Sequence, residues 1–192
     1  IEKIIKSQTN NLYMVGGVVR GLILNEKNIS HPDLVCNVPI KQITKELKAN
    51  KINFSSVGID YGSIVIKDGG YIFDLTSTRK DLKSHGRYAD IEFTGRLEDD
   101  SERRDFSINS IYCDLSGNLF DPQNGIRDLT KYKYPKIRFI GSASKRINED
   151  FLRILRFLRF SIIYSNNLNC KYLNLCKKFK KKLLLLSFER RI

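Results

Sequence analysis

The apolar positions of this chain come in short runs whose period changes part-way along. Residues 1–8 place Ile1, Ile4 and Ile5 on one face and predict the end of a helix. Residues 11–15 predict a strand and 18–24 a helix, with Gly16-Gly17 as the sharp turn between them. Leu34-Val35 continues a strand from Asp33. Pro39 opens an amphipathic helix to about residue 49, because its fixed φ suits a first turn; Ile40, Ile43 and Leu47 share one face. Residues 63–67 and 71–76 are rich in β-formers and flank Asp68-Gly69-Gly70, a strong hairpin signal, with Asp74 interrupting the second run. Short β-like runs follow at 91–94, within 105–114 around Asn109, and at 118–120, ahead of the turn Asp121-Pro122-Gln123-Asn124-Gly125. From Asn148 the period becomes helical: Phe151, Leu152, Leu155, Leu158 and Ile162 predict the apolar stripe, and Arg153, Arg156 and Arg159 recur every third residue. Residues 170–186 are helix-like again. Strands thus dominate the first three-quarters and helices the rest, with a boundary between 140 and 148.

At 192 residues, 41% hydrophobic and 29% charged, the chain suits one folded domain with room for a small second one. No apolar run approaches the roughly 18 residues that span a bilayer. The start, Ile1-Glu2-Lys3-Ile4, has neither a signal-peptide pattern nor an initiator Met. The reading is a cytoplasmic chain with a trimmed start. Cys36, Cys113, Cys170 and Cys176 have no metal-pair spacing and read as reduced thiols. A net charge of +13 points to a polyanionic partner. Acidic residues concentrate at 92–105 and lysines at 171–182, which suits a catalytic or metal-linked front and a nucleic-acid-facing back; a lysine-rich solvated surface is the plainer alternative.

Three groups carry candidate chemistry. Gly16 and Gly17, without Cβ atoms, let a phosphate approach the backbone between strand and helix. Asp33 on the next strand and Asp74 on the hairpin are oxygen donors of the kind that hold magnesium against phosphates. Positions 31 and 33 face the same side of a strand, yet the first of them is His31. Arg103-Arg104-Asp105 offers guanidinium forks for phosphate and a carboxylate for ribose hydroxyls; a surface ion-pair cluster is the bland reading. Asp150 and Arg153, three apart on one predicted helical face, form an acceptor–donor pair able to read a base edge, or else an ordinary salt bridge. Arg156 and Arg159 extend that face toward phosphates.

These pieces, in this order, resemble the class II nucleotidyltransferases, which comprise the CCA-adding tRNA nucleotidyltransferases and the bacterial poly(A) polymerases. The resemblance rests on Tyr13-Met14-Val15-Gly16-Gly17-Val18-Val19-Arg20, Asp74-Leu75-Thr76-Ser77-Thr78-Arg79, Arg103-Arg104-Asp105-Phe106-Ser107-Ile108-Asn109-Ser110, Asp121-Pro122 to Leu129, and Arg138-Phe139-Ile140-Gly141. It continues through Glu149-Asp150-Phe151-Leu152-Arg153-Ile154-Leu155-Arg156 and the neck-like Ser187-Phe188-Glu189-Arg190. It implies an α+β fold: a polymerase β-like nucleotidyltransferase head with a small mixed β-sheet and flanking helices over residues 1–140, then a truncated helical neck over 141–192. It also implies transfer of CMP and AMP from CTP and ATP to a tRNA 3′ end, with two metal ions, Mg2+ or Mn2+. Asp33 and Asp74 would hold the metal. Gly16, Gly17, Arg20 and Arg104 would bind phosphates, Asp105 the ribose, and Asp150 and Arg153 the base, with Arg156 and Arg159 in support.

The chain departs from the family pattern at His31, where Asp-x-Asp becomes His31-Pro32-Asp33, and at Gly21, where Asp is expected. Gly-Asp-Pro becomes Gly141-Ser142-Ala143. The sequence ends inside the neck motif, so the body and tail that grip tRNA would come from elsewhere, a second polypeptide being one source. A non-catalytic nucleotide- or RNA-binding remnant and a poly(A) polymerase are the alternative readings.

Overall fold

The computed structural model describes residues 12–27, 32–85, 88–165 and 168–191. The predicted N-terminal helix end and His31 lie outside them. Strand β1 (Leu12–Val15) turns at Gly16 into helix α1 (Gly17–Ile23), and β2 (Asp33–Cys36) returns beside it. Helix α2 (Ile40–Ala49) crosses over to β3 (Asn53–Ser55), β4 (Ser63–Asp68) and β5 (Tyr71–Ser77). A separate two-stranded hairpin, β6 (Arg79–His85) and β7 (Tyr88–Phe93), precedes helix α3 (Leu97–Arg103). Then come β8 (Tyr112–Asp114), β9 (Leu119–Phe120) and helices α4 (Gly125–Thr130), α5 (Ala143–Glu149), α6 (Leu152–Phe160), α7 (Cys170–Phe179) and α8 (Phe188–Arg191). The main sheet runs β3-β4-β5-β2-β1-β8-β9; β2 and β5 are parallel and the other neighbours antiparallel. This is a mixed-sheet α+β head, as the resemblance implies.

Two large apolar clusters pack on one face of the sheet, and a small one of Tyr13, Val15, Val35 and Tyr112 lies on the other. In the first, Ile40, Ile43 and Leu47 of α2 pack on Leu34, Ile64, Ile66 and Leu75, which is why the predicted three-four spacing survives intact. Burying those three side chains is worth roughly 1.5–3 kcal/mol each. Next to it on the same face, with Met14 touching both groups, Val18 and Val19 of α1 join Phe106, Ile108 and Phe139 with Ile147, Ile154, Phe157, Phe160 and Cys176 of the C-terminal helices. The strand-rich and helical parts therefore share one core, and its large rings stack around Phe106 and Phe139, 4.7 Å apart.

Several expectations need correcting. The buried face of α6 is Ile154, Phe157 and Phe160, whereas Ile162, placed on the predicted stripe, is 73% exposed. The rings of Phe157 and Phe160 reach Phe139 and Phe106 at 5.6 and 5.7 Å and set the helix rotation. Beyond them the backbone widens into a π turn (Ser161–Ser165), which shifts the side-chain phase. The hairpin strand β6 was not foreseen, because Arg-Lys-Asp-Leu-Lys-Ser-His lacks an apolar alternation; its pairing is with β7 alone. Helices α3, α4 and α5 were likewise not predicted. The turn at 121–125 leads into one of them: Asp121 accepts the N–H groups of Gly125 (2.6 Å) and Ile126 (2.9 Å), satisfying donors at the start of α4. Residues 170–186 are not one helix, since α7 gives way to a 3-10 segment (Lys180–Leu185). All four cysteines are free thiols.

Candidate functional site

The site begins with a register. Val15, the last residue of β1, pairs with Asp33, and Asp33 pairs with Asp74 across the parallel β2–β5 ladder. Two carboxylates thus stand on adjacent strands beside the glycine turn, although they are 41 positions apart in sequence. Gly16 has φ 73°, a left-handed conformation that favours glycine. A Cβ there would stand 3.6 Å from Asp33 Oδ2 and 4.0 Å from Arg104 Nη1, so the missing side chain keeps the floor of the site open. Desolvation in the cleft wall, with Asp74 nearby, raises the Asp33 pKa, and Arg104 and Arg156 pull it back.

Above this floor lies a cavity of about 380 Å³. Gly16, Gly17, Arg20, Asp33, Arg103, Arg104, Asp105, Asn109, Arg153, Arg156, Arg159 and Phe160 line it. Six arginines against two carboxylates make a strongly cationic cleft, the environment that a polyphosphate requires. Each guanidinium is aimed by a neighbour. Asp100, fully buried, receives Arg103 Nη2 at 2.6 Å on one oxygen, and Arg104 Nη2 at 3.0 Å and the Tyr112 hydroxyl at 2.8 Å on the other. Burial alone would push the Asp100 carboxyl up; Arg104, Arg103 and the Tyr112 hydrogen bond outweigh it and hold the pKa at about 2.

Asp105 accepts the Phe106 N–H at 2.8 Å, Asn109 Nδ2 at 3.0 Å and the Arg156 guanidinium. Despite burial, those contacts lower its pKa. With both oxygens engaged, Asp105 fixes Arg156 and Asn109. Arg20 donates to Asn109 Oδ1 and lies 5.0 Å from the Phe160 and Tyr164 ring centroids. Arg159 is exposed at the mouth, 5.0 Å from the Phe160 ring.

Asp150 and Arg153 do not share a helix. Asp150 is the extended residue between α5 and α6, where it accepts the Leu152 N–H at 3.0 Å and an Arg190 guanidinium at 2.9 Å. Arg153 lines the cleft but pairs with Glu149 at 2.6 Å and donates to the Arg103 carbonyl at 3.0 Å. The break lies at Asp150, whose backbone is extended (φ −152°, ψ 112°) while its side chain accepts the Leu152 N–H. Asp74 and Asp150 are outside the cavity lining, whereas the other site residues predicted among those described come together in it.

Sequence reading missed the work of Asp100, Asn109, Tyr112 and Phe160. Asn109 alone left a trace, as a polar residue within a β-forming run. The acidic stretch at 92–105 turns out partly buried and structural: Asp99 pairs with Lys80 at 3.1 Å and Asp100 aims two arginines. Among the described residues no group of three or more His, Cys, Asp or Glu side chains could hold a metal. The pair Asp33–Asp74 still suits a hard cation, because magnesium takes few protein carboxylates and completes its shell with phosphate oxygens.

The Poly A polymerase head domain profile matches residues 12–134. The chain belongs to that family. Poly A polymerase head relatives include human mitochondrial CCA tRNA nucleotidyltransferase 1, 36% identical over 155 residues, covering 80% of this chain and 35% of the relative. The CCA-adding enzyme of Oceanobacillus iheyensis is 37% identical over 151 residues, covering 78% and 36%. Among solved structures, the Bacillus stearothermophilus CCA-adding enzyme in complex with CTP superposes with a TM-score of 0.69 at 30% identity, covering 83% of this chain and 36% of that one. A tRNA nucleotidyltransferase complexed with a primer tRNA and an incoming ATP analog gives 0.70 at 29% identity, covering 95% and 50%. This family member therefore spans about a third of the length of the curated relatives named here. No helix among its described residues is long and apolar enough to cross a membrane.

Proposed function

We propose that the chain is the catalytic head and first neck helices of a template-independent tRNA nucleotidyltransferase, adding CMP and AMP from CTP and ATP to a tRNA 3′ end. The observation that carries this reading is the cationic cleft over the glycine turn and Asp33, with Asp74 in register with Asp33 on the neighbouring strand just outside the lining. Asp33 and Asp74 would hold the divalent cation, Mg2+ or Mn2+, which supplies activation of the attacking hydroxyl and neutralisation of the leaving pyrophosphate. The chain's own residues do the rest. Arg20 and Arg104 hold the phosphates, with Gly16 and Gly17 allowing close backbone approach. Asp100 keeps Arg104 oriented, so little reorganisation is needed as charge moves. Asp105 fixes Arg156 and meets the ribose, and Arg159 draws the nucleotide in at the mouth. Asp150 and Arg153 read the base once Arg190 and Glu149 release them. Four free thiols suit a reducing compartment such as the cytoplasm.

The part of the relatives beyond this match, on the same chain or a second polypeptide, would grip the tRNA. His31 in the place of a carboxylate favours a second reading, nucleotide binding without turnover, because imidazole is a poor magnesium ligand. Poly(A) synthesis shares these head motifs. The test incubates the chain with tRNA lacking its 3′ end and labelled CTP or ATP in magnesium or manganese, alongside a CTP titration. Incorporation supports the transferase; CTP binding without incorporation supports the second reading, and no CTP binding refutes both.

A further inference from the structure

Residues 131–136 read Lys-Tyr-Lys-Tyr-Pro-Lys, an alternation of cations and rings that the nucleotide cleft does not use. Tyr132 and Tyr134 are 43% and 44% exposed, so two rings two positions apart stand open to a ligand. Lys136 Nζ sits 5.7 Å from the Tyr132 ring centroid and Lys133 Nζ 5.4 Å from that of Tyr134. The segment is anchored at both ends. The Lys131 N–H donates to the Arg127 carbonyl at 3.0 Å and the Lys136 N–H to the Asp128 carbonyl at 2.8 Å. Next to it Ile137 is buried and Arg138 is tied to Asp128 at 2.7 Å. The rings are therefore presented on a fixed base, with the side of the segment forming a groove of about 360 Å³ closed by Ser165 and Asn169 and lined, among the described residues, by no acidic one. One element links it to the cleft: Phe160 of α6 lines the cleft, and the π turn that follows ends at Ser165 in the groove.

We propose that this groove is a stacking platform for unpaired bases of single-stranded RNA, distinct from the nucleotide cleft. The proposal rests on the transferase reading only in taking RNA as the polymer. Rings with lysines beside them match a single strand, whose bases expose π faces and whose phosphates flank them; a duplex hides its faces. A surface that only solvates lysines would have no use for exposed tyrosines. The lysines of 171–182, exposed at Lys171, Lys177, Lys178, Lys180, Lys181 and Lys182, have little aromatic interleaving and would add only salt-dependent attraction.

The test is fluorescence anisotropy of the full chain with a labelled single-stranded RNA of about ten nucleotides and with a duplex of the same length. Replacing both rings (Tyr132→Ala with Tyr134→Ala) should weaken single-strand binding by roughly thirtyfold or more, since two base–ring stacks are lost, and leave the duplex nearly unchanged. The pair Tyr132→Phe with Tyr134→Phe should retain binding. Lys133→Gln with Lys136→Gln should weaken both forms and flatten the salt dependence. CTP affinity, read in parallel, should be unchanged in every variant. If the alanine pair binds single strands like the parent, or loses single strand and duplex equally, the platform is refuted while the nucleotide site stands. Failure of the parent to bind RNA in any form overturns the platform, and loss of CTP binding by the parent overturns the transferase reading instead.

Discussion

Asp100→Asn tests whether the cleft is held in shape by one buried carboxylate. Asp100 is fully buried, and its oxygens receive Arg103 at 2.6 and 2.8 Å, Arg104 at 3.0 Å and the Tyr112 hydroxyl at 2.8 Å. Holding its carboxyl at about 2 instead of 3.8 corresponds to about 2 kcal/mol of preference for the charged form. Asparagine keeps the shape but removes the charge and turns an N–H2 toward guanidinium donors. Arg104 is then left in the cleft wall with only Tyr112 and a long contact to the Asn109 carbonyl. Breaking a buried pair from one side costs about 3–5 kcal/mol, more than the carboxyl's own preference, because the cation is left largely buried without its counter-charge. With a urea slope of about 2 kcal/mol per M, the unfolding midpoint should fall by roughly 1.5–2.5 M. CTP affinity measured well below that midpoint should also drop, by tenfold or more, as Arg104 loses its aim. An Asp100→Asn protein with the parent's urea midpoint and the parent's CTP affinity would refute the argument.

Asp100 also predicts acid sensitivity. Its folded pKa lies below its unfolded value, so its stabilisation is complete above about pH 4 and lost as pH falls toward 2; urea midpoints across that range should decline in the parent and much less in Asp100→Asn. Gly125→Ala should lower Tm by roughly 5–10 °C, because its Cβ would stand 2.2 Å from the Ser107 carbonyl oxygen and 2.8 Å from Ile111 Cγ1; a calorimetric scan with an unchanged Tm would contradict that contact. His31→Asp should raise nucleotide incorporation in magnesium more than in manganese, and equal magnesium rates for parent and variant would show that position 31 does not limit the site. Arg104→Ala should weaken CTP, ATP, UTP and GTP alike, since phosphates carry no base identity, whereas Asp150→Ala should erode the preference for CTP and ATP; equal losses for all four in Asp150→Ala would remove it from base reading.

Local rules made much of this protein legible. Pro39 ahead of Ile40, Ile43 and Leu47 marked α2, and the Asp68-Gly69-Gly70 turn marked the β4–β5 hairpin, because each depends on φ preferences and periodicity within a few residues. The glycine turn and the arginines were visible for the same reason, and their order along the chain carried the family resemblance. What the sequence could not state is which groups meet. Asp33 and Asp74 become neighbours only when β2 and β5 align in parallel register, an outcome of packing the apolar face of α2 across the sheet. Asp150 and Arg153 have helical spacing, yet the extended backbone at Asp150 and its bond to Arg190 separate their roles. The rotation of α6 was decided by Phe157 and Phe160 finding Phe139 and Phe106, which leaves Ile162 exposed. Likewise Asp100 reads as one acid of a catalytic or metal-linked front until the fold buries it against two guanidiniums, where low dielectric turns an ordinary carboxylate into the group that sets the cleft.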